Sequence, residues 1–407
     1  MNVSPASQSP GLRGQDWKTP AIFLMAMTAA NHISFAGWQA LINNFAIGRA
    51  GFSGADIGLL QSIREIPGFL AFTAIFVIIF VREQRLALIS LFLMGLGVAI
   101  TGMFPTLTGL LITTFVMSVG FHYFETMQQS LALQWLPKKD APAIMGKILS
   151  VTAVSQLLSY GGVLVASKFL GFEFTALFAI CGGVTLALVF FLAVGFPAFP
   201  QEYVQHKKIV LRKRYWLYYA LTFMAGARRQ IFIVFAAFMM VEKFHYSVAG
   251  VSALFLINCT INMFLAPAIG RLIGRLGERR ALTFEYTGLV IVFVSYALVQ
   301  NPWIAAGLYV VDHIFFSMAL ALKTYFQKIG DPQDMAPTAA VAFTISHIVA
   351  VFIPVLFGLM WLVNPALVFY AGAAMAGVSL CLALLIPRHP APGHETVMAP
   401  ALAAPAE

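Results

Sequence analysis

Several ionisable side chains of this chain fall inside long apolar runs, where an unpaired charge costs several kcal/mol and so calls for a partner, a wet cavity or a task. His122 and Glu125 lie three residues apart and share one face of a helix. A carboxylate beside an imidazole could carry a coupled proton, and it could equally be a fixed hydrogen bond between helices. Asp312 and His313 are sequence neighbours that point about 100° apart on a helix. Both join the candidates for proton coupling, with a salt bridge from Asp312 to Arg228 or Arg229 as the structural alternative. Arg228 and Arg229 are the strongest candidates for gripping a solute, since a guanidinium holds a carboxylate or phosphate through two parallel hydrogen bonds. Adjacent arginines cannot both face one point, so one is expected to bind solute and the other to pair with an acid. Asn31, His32, Gln128, Gln156, Asn258, Asn262 and His347 complete the candidate solute-binding set. Arg64 and Glu65 are adjacent and read as a local salt bridge. Four histidines at membrane depth, His32, His122, His313 and His347, raise a divalent-metal reading through His122-x-x-Glu125, but no spacing joins the other three. No resident metal or other cofactor is expected.

The elements that position these residues follow from composition. The chain has 407 residues, 60% hydrophobic and 10% charged, against about 25% charged in soluble domains. Such a deficit fits a surface that faces lipid. The net charge of +9 sits in short loops and reads as a topology signal rather than a nucleic-acid footprint. Cys181, Cys259 and Cys381 fall in apolar runs with no metal or redox spacing and read as packing residues. The polar first 19 residues show no signal-peptide pattern.

Apolar runs of about 20 residues, the length that crosses a bilayer, occupy 20–43, 54–81, 86–104, 107–135, 142–167, 172–196, 215–240, 247–273, 281–299, 303–327, 337–362 and 365–386. With both termini cytoplasmic, the inner segments and the adjoining span ends hold eighteen Lys and Arg, and the outer side only Arg49, Lys168 and Lys243. The chain is therefore expected to have an even number of spans. It divides into a tail at 1–19, six spans at 20–196, a basic linker at 197–214, six spans at 215–386, and a disordered tail at 387–407. The compact loops and short tails point to a cytoplasmic (inner) membrane. The polar inventory concentrates in spans 1, 2, 4, 5, 7, 8, 10 and 11, and one shared cavity is expected to collect it.

The halves resemble each other at a shift of about 191–195 residues. His122-Tyr123-Phe124 matches His313-Ile314-Phe315, Ser155-Gln156 matches Ser346-His347, and Arg82-Glu83-Gln84-Arg85 matches Gly277-Glu278-Arg279-Arg280. The run from Gly270 to Arg280 resembles the loop motif that the major facilitator superfamily carries after spans 2 and 8. Gly270, Arg275, Gly277 and Arg279 fit that motif, Gly274 stands where the family has an acid, and the first-half copy is reduced to Arg82–Arg85. The resemblance implies two pseudo-symmetric six-helix bundles, a gating role for these motif residues and for the Arg64–Glu65 pair, and a solute site lined by the polar-rich spans. Two family features are absent. Span 5 reads Ser159-Tyr160-Gly161-Gly162 without the proline of drug/proton antiporters, and span 4 carries His122 and Glu125 in place of an arginine.

The expected function is secondary transport, proton-coupled, of a small organic anion or zwitterion by alternating access, in a monomer whose partners are solute, protons and lipid, with no nucleic acid. The rivals are a divalent metal-ion transporter and a non-transporting assembly factor or sensor on the same fold. No phosphate-loop motif for an ATP-driven pump occurs, and no enzymatic role is expected.

Overall fold

The helices begin where side chains can replace missing backbone acceptors. The hydroxyls of Thr19, Ser53, Thr106 and Ser247, and the side-chain amides of Asn301 and Asn364, each accept from a backbone N–H one to two residues inside the following helix. Pro20, Pro302 and Pro365 occupy the first helical position, where a missing N–H costs nothing. Ser53 and Asp56 form a reciprocal capping box.

The protein was analysed as a computed structural model, which describes residues 17–78, 80–136, 141–200, 211–331 and 334–398. The described residues are helical nearly throughout: α1 Pro20–Ala50, α2 Gly54–Phe69, α3 Ala74–Val77, α4 Glu83–Thr101, α5 Leu107–Trp135, α6 Ala141–Lys168, α7 Phe174–Gly195, α8 Trp216–Gln230, α9 Ala237–Glu242, α10 Val248–Leu276, α11 Glu278–Leu298, α12 Pro302–Ser317, α13 Leu320–Ile329, α14 Met335–Val363 and α15 Pro365–Leu384. Among the described residues, eleven helical stretches are long and apolar enough to cross a membrane. The end of the molecule where α1 begins and α15 finishes is its terminal side, and the opposite end its distal side.

Three spans depart from a simple rod. The run expected at 54–81 is α2, a 3-10 turn at Leu70–Thr73, and α3. Pro67 lies in its last α-helical turn, where the missing N–H and the ring disrupt the ladder. In the seventh run, α8 passes through a π-helical segment, Ile231–Ala236, into α9. In the tenth, α12 and α13 are separated at Met318–Ala319, where backbone N–H groups bond three residues back, to Phe315 and Phe316.

On the distal side α2 lies backbone to backbone against α14. A Cβ on Gly58 would sit 2.2 Å from the Pro354 carbonyl oxygen, and one on Gly358 would sit 2.7 Å from that of Gly54. Small residues permit this approach, and in lipid such close van der Waals packing is the main source of helix association. The Asn44 amide reaches the Tyr246 carbonyl at 2.7 Å, and the Trp361 indole donates to Glu242 at 2.8 Å on the same side.

On the terminal side a repeated contact marks the two halves. Buried Glu83 at the start of α4 accepts from Gln134 near the end of α5 at 2.9 Å. Buried Glu278 at the start of α11 pairs with Lys328 near the end of α13 at 2.8 Å. Among the described residues, the ion pair at this loop is made by Glu278 with Lys328. Gly277 has φ +78, a conformation that favours glycine, and joins α10 directly to α11. Gly270 has room around it, with only Leu320 at 4.0 Å from a built Cβ.

Residues 388–398 differ from the expected disordered tail. The Tyr325 hydroxyl donates to the Glu395 carbonyl at 2.6 Å, Val397 N–H bonds the Leu385 carbonyl at 2.9 Å, and Glu395 and Thr396 are buried. A proline-rich composition concealed these anchors. The basic residues Lys138, Lys139, His206, Lys207 and Lys208 lie outside the described residues, as do most of the N-terminal tail and the end of the C-terminal one.

Candidate functional site

Most of the ionisable residues at membrane depth gather into two groups, not the single chamber expected from the sequence. The first lies between the halves. Glu65 comes from α2, His122 and Glu125 from α5, Arg229 from α8 and His347 from α14. Glu65 Oε1 takes a 2.5 Å hydrogen bond from Arg64 Nη2. The Arg64 guanidinium also lies over the rings of Phe35 and Trp38, at 5.8 and 5.9 Å. Glu65 Oε2 faces His347 Nε2 at 3.9 Å. His122 Nδ1 is 3.7 Å from Glu125 Oε2. The two imidazoles meet edge to face, with centroids 5.2 Å apart. The spacing that puts His122 and Glu125 on one helix face thus also brings them to a histidine and an acid remote in sequence.

Gly68 makes this meeting possible. A Cβ there would fall 2.2 Å from the His347 ring and 2.8 Å from the His122 ring. The side chain of Arg229 is exposed within this region and acts electrostatically on both Glu65 and Glu125.

The second group is enclosed in the second half of the chain. Arg228 Nη2 stands 3.9 Å from Glu285 Oε1, its guanidinium lies 4.4 Å from the Tyr286 ring centroid, and its Nη1 bonds the Ser379 hydroxyl oxygen. Asp312 joins it electrostatically across a cavity of about 20 Å³ that Arg228, Arg229, Glu285 and Asp312 help to line. That is room for about one water. Arg228 Nε, Glu285 Oε2 and Asp312 Oδ2 have no hydrogen-bond partner, although all three residues are buried. Arg228 and Arg229, about 100° apart on one turn, thus serve different groups, the first inside the second half and the second at the junction of the halves.

Glu285 was missed by sequence reasoning. It lies seven residues into α11, about 10 Å from its start, and only packing shows that its side chain faces Arg228. Glu65, expected to pair locally with Arg64, does so and also faces His347.

The other expected residues scatter around these groups. Asn31 and Asn258 are buried with unpartnered Oδ1 atoms, and His32 Nδ1 and His313 Nδ1 are likewise unpartnered. His313 packs on Phe232 at 5.4 Å, away from His122. Gln128 donates to Thr28 at 2.5 Å, Gln156 accepts from the Cys259 thiol at 3.7 Å, and Asn262 accepts from Ser317 at 3.0 Å. The Cys259–Gln156 contact joins α10 to α6 across the halves. A cavity of about 660 Å³ opens elsewhere, on the distal side between Arg49, Lys168, Glu173 and the start of α10.

Three solved structures share this architecture: a mutant form of the nucleoside transporter NupG (TM-score 0.76, 14% identity, 90% of this chain and 99% of that one), a bacterial homologue of the human lysosomal transporter Spinster in an inward-facing, occupied conformation (0.71, 15%, 90% and 95%), and an auto-inhibited POT family peptide transporter (0.69, 11%, 89% and 96%). At these identities they establish the fold alone. No curated protein matches the sequence. The sequence profile of the Major Facilitator Superfamily matches residues 19–354, and with the helical architecture just described it places this chain in that superfamily of membrane transporters.

Proposed function

We propose that the chain is a proton-coupled secondary transporter of a small organic anion or zwitterion, working by alternating access between two six-helix bundles with both termini cytoplasmic in an inner membrane. The observation that carries this reading is the junction of Glu65, His122, Glu125, Arg229 and His347, in which side chains from both halves meet at membrane depth. A scaffold gains nothing from placing costly charges where its halves meet, whereas a carrier needs a solute to contact both. Arg229 is the anion-gripping residue of this reading, because it is the arginine of the pair left exposed at the junction.

Two places suit the proton. Glu125 sits beside His122 at the junction. In the enclosed group one guanidinium faces two carboxyl groups, so the trio is neutral with one proton on Asp312 or Glu285 and carries −1 without it. A gain or loss there reaches the junction through the Arg228–Arg229 backbone. The packed distal ends of α2 and α14 fit a state open towards the terminal side.

The test begins with a thermal-shift panel of nucleosides, dipeptides and small carboxylates on the purified chain, since a bound ligand stabilises the fold. Proteoliposome transport of the best stabiliser under an imposed pH gradient follows. Arg229→Ala is expected to abolish uptake, and Glu125→Gln with Asp312→Asn to uncouple it from the gradient while leaving exchange intact. Gradient-driven accumulation that survives in the double variant overturns the coupling assignment.

A further inference from the structure

One donor atom each from Glu65, His122 and His347 lie within 4.8 Å of one another. His347 Nδ1 is 2.9 Å from the Phe343 carbonyl, an acceptor that fixes the ring proton on that nitrogen. Nε2 is then a bare lone pair, and it points at a carboxylate oxygen, Glu65 Oε2, 3.9 Å away. Two acceptors facing each other repel unless a proton or a cation is shared between them. Arg64 bonds the other oxygen of Glu65, so Oε2 is the one turned to His347. His122 is 5% exposed, and its Nδ1 has no hydrogen-bond partner.

We propose that Glu65, His122 and His347 form a binding site for one divalent transition-metal ion of the zinc class. Two imidazoles and one carboxylate are a borderline-soft donor set, and three protein ligands leave a fourth position open. Tetrahedral ligands at about 2.0–2.1 Å from zinc stand roughly 3.3 Å apart, so small side-chain rotations close the site. Phe343 fixes the tautomer of His347 from outside the ligand set, the usual arrangement for a metal-bound histidine. Glu65 and Glu125 already balance Arg64 and Arg229, so the ion brings its charge uncompensated and binds less tightly than in a structural zinc site.

The site joins α2 and α5 to α14. An ion held by all three ligands ties the halves together in the arrangement described here. This inference concerns binding to the isolated protein and stands apart from what the chain carries.

The test is cobalt(II) titration of the full-length, metal-stripped protein in detergent, read by the visible d–d bands of low-coordinate cobalt and by displacement with zinc. Expected are bands that saturate at one equivalent, are lost in His122→Ala and in His347→Ala, and are retained in His313→Ala, a histidine of comparable burial outside the cluster. Gly68→Ala, whose Cβ pushes the two rings apart, is expected to weaken binding at least tenfold. The melting temperature of each metal-free variant shows whether it is folded. The wild-type chain decides the matter alone if it gives no bands. Bands of equal strength in the His122→Ala/His347→Ala double variant overturn the assignment.

Discussion

Replacing Gly58 with alanine is expected to open the distal side. The new methyl carbon would lie 2.2 Å from the Pro354 carbonyl oxygen, more than 1 Å inside ordinary contact, and the atom it meets is backbone. Neither helix can yield by a rotamer change, so α2 and α14 must separate. Overpacking of this kind costs about 1–3 kcal/mol. The cost falls only on the state in which the two helices touch. At about 1.4 kcal/mol per tenfold, the ratio of distal-open to distal-closed molecules should rise by roughly 5- to 150-fold. Spin labels at Glu173 and Trp303, both exposed on the distal side in different halves, report this as a longer distance distribution, in a background with Cys259 and Cys381 replaced by serine. Gly183→Ala is the control, because a Cβ there meets nothing within 4 Å. If Gly58→Ala gives the wild-type distribution, close backbone approach is not what closes this side.

Arg228→Met strands two buried carboxyl groups and should destabilise the fold by about 3–5 kcal/mol. It is measured as a lowered melting temperature in detergent, partly restored by adding Glu285→Gln; an unchanged melting temperature contradicts the buried pair. Asp334, on the terminal side, is subject to desolvation that raises its pKa. Hydrogen bonds from Arg212 and Tyr215, with the charge of Arg214, outweigh that and hold it below the usual carboxylate value. A depressed carboxylate stabilises above its unfolded pKa of about 3.9 and loses that contribution as pH falls through its folded value. Asp334→Asn should therefore lower the melting temperature at pH 7, with a gap that narrows below about pH 4; a gap independent of pH contradicts the ion pair.

The spans were legible because a bilayer demands length and apolarity, both one-dimensional properties. Pro67 was not, because a proline within a span is tolerated in some helices and breaks others according to what packs beside it. The division of labour between Arg228 and Arg229 followed from the turn angle of a helix. The convergence of Glu65, His122 and His347 did not, because it depends on how two halves of the chain dock, and no local spacing encodes that. Glu285 failed for a related reason: position along a helix gives depth, and only packing gives direction. The C-terminal segment was misread from its prolines and alanines. What holds it are a hydroxyl on α13 and a backbone bond from Val397 to the Leu385 carbonyl, neither visible in composition.

The π-helical turn after the paired arginines has a consequence for how this span tolerates insertion and deletion. A wide turn absorbs one residue that a regular α-helix would have to accommodate by rotating everything beyond it by about 100°. Phe235 and Phe238 each meet Trp361 with centroids 5.5 Å apart, and Arg228 keeps its grip on Ser379 on the other side of the turn. Deleting a single residue from Ile231–Ala236 would let the backbone relax to α-helix with both ends still in phase. The same deletion a few positions earlier or later would turn one end away from its partners.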